Sequence, residues 1–292
     1  MNPVLAQPKT VNPGVLTIGI AVDMSMTSIA DGTLIGTDGE MINTIAENLG
    51  LTLDVRQMEW SAVIQSTVQG QVDIMFGSMG WIAERTKILK MTNLIYYYPT
   101  TLLQQEGHNY KSAEELAGRT IGSVVGFTSV PEMQSIDGVD ELKLYEAQDA
   151  AIRDVAAGRI DVAFLDPTLA EYALSQNPDW KLHQTEFTPD DRYPIMSAKY
   201  SAVIGVNPAN EELYEAINTE VGKLWASCAN VQAMSKYGLS ALMWFEPSAT
   251  NYRAGVDRSD EWQPPQAAST CFNWIDTRAA PFEPPSRGVW RM

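Results

Sequence analysis

Apolar positions along this chain follow two rhythms. Met41, Ile42, Ile45, Ala46 and Leu49 share one helical face, and Gly50 closes the stretch, which predicts an amphipathic helix with a glycine stop. Short apolar runs at residues 16–20 (LTIGI) and 51–55 (LTLDV) flank it and predict strands. Residues 64–76 (IQSTVQGQVDIMF) then combine a helix end, Gly70 as its stop and a short buried strand. Residues 152–164 (IRDVAAGRIDVAF) repeat that phrase in register, matching Ile64 with Ile152, Gly70 with Gly158, Asp73 with Asp161 and Phe76 with Phe164. The echo reaches backwards, since residues 119–123 resemble 16–20 and residues 142–145 resemble 51–55. Each half reads strand, helix, strand, helix, strand. The expected fold class is α/β: two similar βαβαβ-based lobes with parallel sheets, and sites at the carboxyl ends of strands.

Past the second copy, residues 201–206 (SAVIGV) predict a strand, and Asn207-Pro208 a turn. Asn210 is placed to cap a helix whose apolar face is Leu213, Ile217, Val221, Leu224 and Trp225. From Pro247 the character changes. Pro264, Pro265, Pro281, Pro284 and Pro285 break regular elements, while Trp262, Trp274 and Trp290 keep the segment aromatic. It is expected to be irregular and packed on the body. The domain reading is residues 12–104 for the first part of lobe 1, 105–199 for lobe 2, 200–246 for the return to lobe 1, and 247–292 for the extension. Crossovers near residues 104–106 and 199–202 would form a hinge.

The chain's 292 residues leave room for two ordinary domains, and 45% hydrophobic with 19% charged residues can fill their cores. No run approaches the ~18 apolar residues of a membrane span. The net charge of −16, from 20 Lys and Arg against 36 Asp and Glu, repels phosphate backbones and argues against a nucleic-acid partner. Cys228 and Cys271 lack metal-ligand spacing, and only His108 and His183 could join them, so neither metal nor cofactor is expected. A disulfide and two unrelated thiols both fit this pair. Residues 1–7 (MNPVLAQ) lack a basic n-region and a full apolar h-region. The protein is then either cytosolic, or exported with its signal peptide removed and Met1 supplied afterwards.

Residues 15–103 resemble the first lobe of the bacterial extracellular solute-binding proteins that serve polar amino-acid ABC transporters (family 3, with the type II periplasmic-binding-protein fold). The resemblance is carried by Gly36 to Gly39, Leu49-Gly50, Trp60, Gly70-Gln71-Val72-Asp73, Ala83-Glu84-Arg85 and Tyr96-Tyr97-Tyr98. The second lobe continues it with Leu116-Ala117-Gly118-Arg119-Thr120-Ile121-Gly122, Gly126-Phe127-Thr128-Ser129, and the run from Gly158 to Asp166. This resemblance implies a periplasmic monomer that captures an amino acid, or an amino-acid-derived carboxylated solute, in a cleft between two lobes. The solute then passes to a membrane permease. In that compartment disulfides persist, so Cys228 and Cys271 are expected to bond, closing a loop of ~44 residues worth about 4 kcal/mol in the chain-entropy model.

By the same resemblance Arg85 would clamp the ligand carboxylate, Thr128 would add a donor from the other lobe, and Asp166 would accept from an α-ammonium. Trp60 would offer an aromatic wall, and Asp23 would meet a polar or cationic part of the ligand. Each also has a purely structural use: Arg85 as a solvated helix charge, Asp166 as a cap before Pro167, Trp60 as a helix-entry staple or core residue. Asp73 and Asp161 read as strand-entry residues. The chain departs from the family where a hydroxyl-rich run is replaced by Ser78, Met79, Gly80 and Trp81, and where Phe127 replaces a threonine. Those substitutions suggest an unusual ligand such as a modified or N-substituted amino acid, with a cation held by Trp60, Trp81 or Phe127, and leave a plain polar amino acid open as the alternative. Two rivals share the scaffold. One is an enzyme resembling prephenate-type dehydratases, recruiting Asp166, Asp23 or Glu84, and the other is a sensor domain.

Overall fold

The computed structural model describes residues 7–22, 25–248 and 250–273. Asp23, Trp274, Trp290 and the prolines from Pro281 onward lie outside the described residues. The chain forms two compact units, the first built from the chain up to Tyr97 together with the chain from Ser201 onward, the second from Tyr98–Tyr200.

The first unit begins with β1 (Val15–Ile20), a hairpin of β2 (Ser28–Ala30) and β3 (Thr33–Ile35), α1 (Thr37–Asn48), β4 (Thr52–Gln57), α2 (Trp60–Val68) and β5 (Ile74–Met75). β6 (Lys90–Met91) and β7 (Tyr96–Tyr98) follow. The second unit contains β8 (Thr101–Gln105), β9 (Thr120–Val124), α3 (Val130–Met133), β10 (Glu141–Tyr145), α4 (Gln148–Ala156) and β11 (Val162–Phe164). It ends with α5 (Pro167–Gln176), β12 (Leu182–Glu186) and α6 (Pro194–Ser197). The chain then returns through β13 (Tyr200–Ala202) and β14 (Gly205–Val206) to α7 (Glu211–Ala226) and α8 (Ala229–Ser235).

The two main sheets share one plan. The first has the order β4-β1-β5-β14-β6 and the second β10-β9-β11-β8-β12. In each, three parallel strands come from the expected βαβαβ unit, and the last two strands run antiparallel to their neighbours. The echoed motifs occupy equivalent places, α2 leading to β5 and α4 leading to β11. Gly70 (φ 69°) and Gly158 (φ 66°) both take the left-handed conformation that ends those helices, where a side chain would be strained. Asp73 and Asp161 also match. Asp73 accepts from the N–H groups of Val11 (2.7 Å) and Thr17 (2.8 Å), and Asp161 from that of Thr120 (2.8 Å). Each aspartate N–H bonds back to the same Thr17 or Thr120 carbonyl, 2.9 Å in both cases. Both are strand-entry clasps.

Two expectations are corrected. The first crossing falls at Tyr97–Tyr98, earlier than residues 104–106, because the stretch read as the crossing ends β8, which pairs on both sides within the second sheet. The strand read at 201–206 is divided into β13, paired with β7, and β14, paired with β5 and β6. Asn210 does cap α7, accepting from Leu213 N–H at 3.2 Å.

Beyond α8 the described chain is irregular and packs on the first unit. The Tyr97 hydroxyl donates to Pro265 O (2.5 Å), Trp262 joins the core around Met75, Leu89 and Met91, and Cys228 is bonded to Cys271 with Cα atoms 5.4 Å apart.

Candidate functional site

In the first unit, candidate residues gather after the carboxyl end of β5. Phe76 is buried, and the loop then turns sharply, with Gly77 at φ 133° and Ser78 at φ 48°. The Ser78 N–H donates to Asp38 Oδ2 at 2.6 Å. Asp38 sits in the first turn of α1 and is fully buried, so this carboxylate fixes the loop. A methyl placed on Gly77 would lie 3.8 Å from Thr27 Oγ1 and 3.9 Å from Trp60 Cζ3, which places half-buried Trp60 against this loop. Buried Gly80 bridges to Ala202, and the Trp81 N–H donates to Ser201 O at 2.9 Å.

Arg85 lies in the short 3-10 turn Ala83–Lys87. Its side chain is half-buried and Nη1 donates to Gly80 O at 2.7 Å, so the loop sets the direction of the guanidinium. Glu84 and Lys87 pair with each other on the exposed side of the turn at 2.6 Å. The structure thus brings Trp60, Ser78, Gly80 and Arg85 to one end of the first sheet.

Trp81, one of three aromatic faces expected for a ligand cation, stands against groups of its own chain. Its indole N–H donates to Asp257 Oδ2 (3.1 Å), and the Arg253 guanidinium lies 5.6 Å from its ring centroid. The cation over Trp81 is the protein's own.

In the second unit the corresponding strand ends are those of β9 and β11. Thr128 is exposed in the turn between β9 and α3, while Phe127 packs partly against the core of Val124, Tyr145 and Leu165. Asp166 follows β11 and caps α5. Its Oδ1 accepts from Thr168 N–H (2.9 Å), Leu169 N–H (3.4 Å) and the Thr168 hydroxyl (2.7 Å). The Asp166 N–H donates to Gln148 Oε1 at 2.6 Å. The structural use foreseen for an Asp-Pro step is therefore real, and the helix fixes the orientation of this carboxylate.

Asp38, Gln148 and Asp257 were missed by sequence reasoning. An acidic residue in the first turn of α1 was the one available sign for Asp38; the other two act on partners remote in sequence. Among the described residues, no three His, Cys, Asp or Glu side chains come together to hold a metal ion. No described helix is long and apolar enough to cross a membrane.

Two α/β units of like topology, each with polar side chains at the carboxyl ends of its parallel strands, define a two-lobed binding-protein architecture. The chain belongs to the bacterial extracellular solute-binding proteins, family 3, whose family model matches residues 16–240. It is 27% identical over 134 residues to the "Probable amino-acid-binding protein YxeM" of Bacillus subtilis, a match covering 45% of this chain and 51% of that relative, about half its length. It is 22% identical over 215 residues to the histidine-binding periplasmic protein of Escherichia coli, covering 71% of this chain and 80% of the relative. Among solved structures, the substrate-binding protein AbpA of Streptococcus pneumoniae, bound to L-arginine, superposes with a TM-score of 0.64 at 20% identity. That alignment covers 78% of this chain and 96% of AbpA, and it supports the fold.

Proposed function

We propose that this protein works outside the cytoplasmic membrane, binding an amino acid or an amino-acid-derived carboxylated solute between its two units and delivering it to an ABC-transporter permease. Family membership over residues 16–240, taken with the half-buried Arg85 that Gly80 O orients, supports this reading. A guanidinium fork suits two carboxylate oxygens, and a carboxylate buried unpaired would cost several kcal/mol. Asp166 serves the α-ammonium, Thr128 adds a hydroxyl, and Trp60 and Phe127 supply apolar or aromatic contact. The solute is bound and released unchanged.

Mass spectrometry of ligand released by denaturing the purified protein identifies the solute class. Calorimetry against an amino-acid panel that includes L-arginine, L-histidine, L-lysine and N-methylated analogues then measures affinity. Arg85→Ala should weaken binding at least ~10-fold, equivalent to about 1.4 kcal/mol, with the fold retained. Arg85→Lys should recover part of the loss, because an ammonium cannot make the bidentate fork. Wild-type affinity in Arg85→Ala would place the carboxylate anchor elsewhere. Conversion of the solute on incubation would replace binding with turnover.

A further inference from the structure

The match to the family model ends at residue 240, yet the chain beyond it supplies Arg253, the one buried arginine or lysine among the described residues, 2% exposed. A buried guanidinium is tolerated only when its N–H groups are matched. Here Nη1 donates to Thr92 O (2.8 Å) and Nη2 to Met91 O (3.3 Å). Nε and Nη2 form a fork on Asp257, at 3.1 and 2.6 Å. The guanidinium lies 5.6 Å from the ring centroids of both Trp81 and Trp262. Asp257 in turn receives the Trp81 indole N–H. Trp81 adjoins Gly80, and the Gly80 carbonyl is the acceptor that orients Arg85. A continuous line of bonds and stacked groups therefore runs from the extension to the proposed ligand anchor.

We infer that Arg253 and Asp257 are positioning residues for solute recognition: the extension holds Trp81, and through it the Gly80 loop that aims Arg85. This inference rests on the reading of Arg85 as the carboxylate anchor. Without the clamp the loop would sample other arrangements, and the ligand would have to order it on binding, which weakens affinity.

Asp257→Asn keeps the side-chain size and removes the charge that Arg253 and Trp81 share. Its affinity for the solute found by mass spectrometry should fall at least ~5-fold at a temperature well below its unfolding midpoint. Trp81→Phe should lose affinity comparably, and the double variant should lose little more than either alone, since both cut the same line. Hydrogen exchange supplies a readout independent of any ligand: amides of residues 78–85 should exchange faster in Asp257→Asn than in the wild type. Unchanged exchange there overturns the proposal. So does an Asp257→Asn protein that melts earlier but binds with wild-type affinity, since the extension would then be a buttress only. Failure of Arg85→Ala to weaken binding, with exchange at residues 78–85 still faster in Asp257→Asn, would refute the anchor while leaving the loop clamp standing.

Discussion

Single side chains decide where this protein answers to pH. Asp154 on α4 accepts from Lys143 Nζ (2.7 Å), Tyr145 Oη (2.6 Å) and Arg159 Nε (2.7 Å), pinning the helix to β10. The bond from Lys143, followed by those from Tyr145 and Arg159, holds its carboxyl well below the usual carboxylate range. A depressed folded-state pKa adds stability above the unfolded value of about 3.9, and that stability is lost as pH falls further. Asp154→Asn should therefore unfold at lower temperature than the wild type at pH 7, with the gap narrowing between about pH 4 and pH 2.5. A gap independent of pH in thermal melts would refute this. Asp154 carries no sequence signal of its importance, because two of its three partners, Lys143 and Tyr145, come from a neighbouring strand. The Asp166 cap was legible because Asp-Pro is a recognisable local pattern. The bond from Trp81 to Asp257 carried no such signal, since the two lie 176 positions apart.

Elements were read best where one short phrase fixed them. The clasps at Asp73 and Asp161 close the same joint in both sheets, where the strand after a glycine-stopped helix meets the first strand of its unit. Asp73 is 1% exposed and binds two N–H groups, whereas Asp161 is half-buried and binds one. Burial pushes the Asp73 carboxyl above the usual range against those bonds. Truncation strands the donors, each abandoned buried N–H costing about 1–3 kcal/mol. Asp73→Ala should thus destabilise more than Asp161→Ala in urea unfolding, and equal losses would show that the two joints do not differ in this way. Glycine stops, apolar faces and the Asn210 cap are local and could be read directly. The crossing at Tyr97–Tyr98 was not, since apolar residues run unbroken from Ile95 to Tyr98 and resume at Leu102. Neither was the break between β13 and β14, which is set by a change of ladder partner that only the assembled sheet reveals.

At the scale of the whole molecule, the Cys228–Cys271 bond joins the start of α8 to the end of the described chain, 43 positions apart. Thiol titration of the denatured, unreduced protein should find almost no free thiol. Replacing both cysteines by serine should lower unfolding free energy by about 2–4 kcal/mol, and an unchanged urea midpoint would count against that. The second unit is a continuous stretch inserted within the first, and this arrangement dictates an order of events. Every strand of the second sheet has been synthesised once residue 186 is made. The first sheet must wait for β14, which lies between β5 and β6 and, among the described residues, is the only ladder partner of β6. Pairing across so long an intervening stretch is slow. The part of the protein made first is therefore the last to finish folding, and a chain cut short before residue 205 carries one complete sheet and one that cannot close.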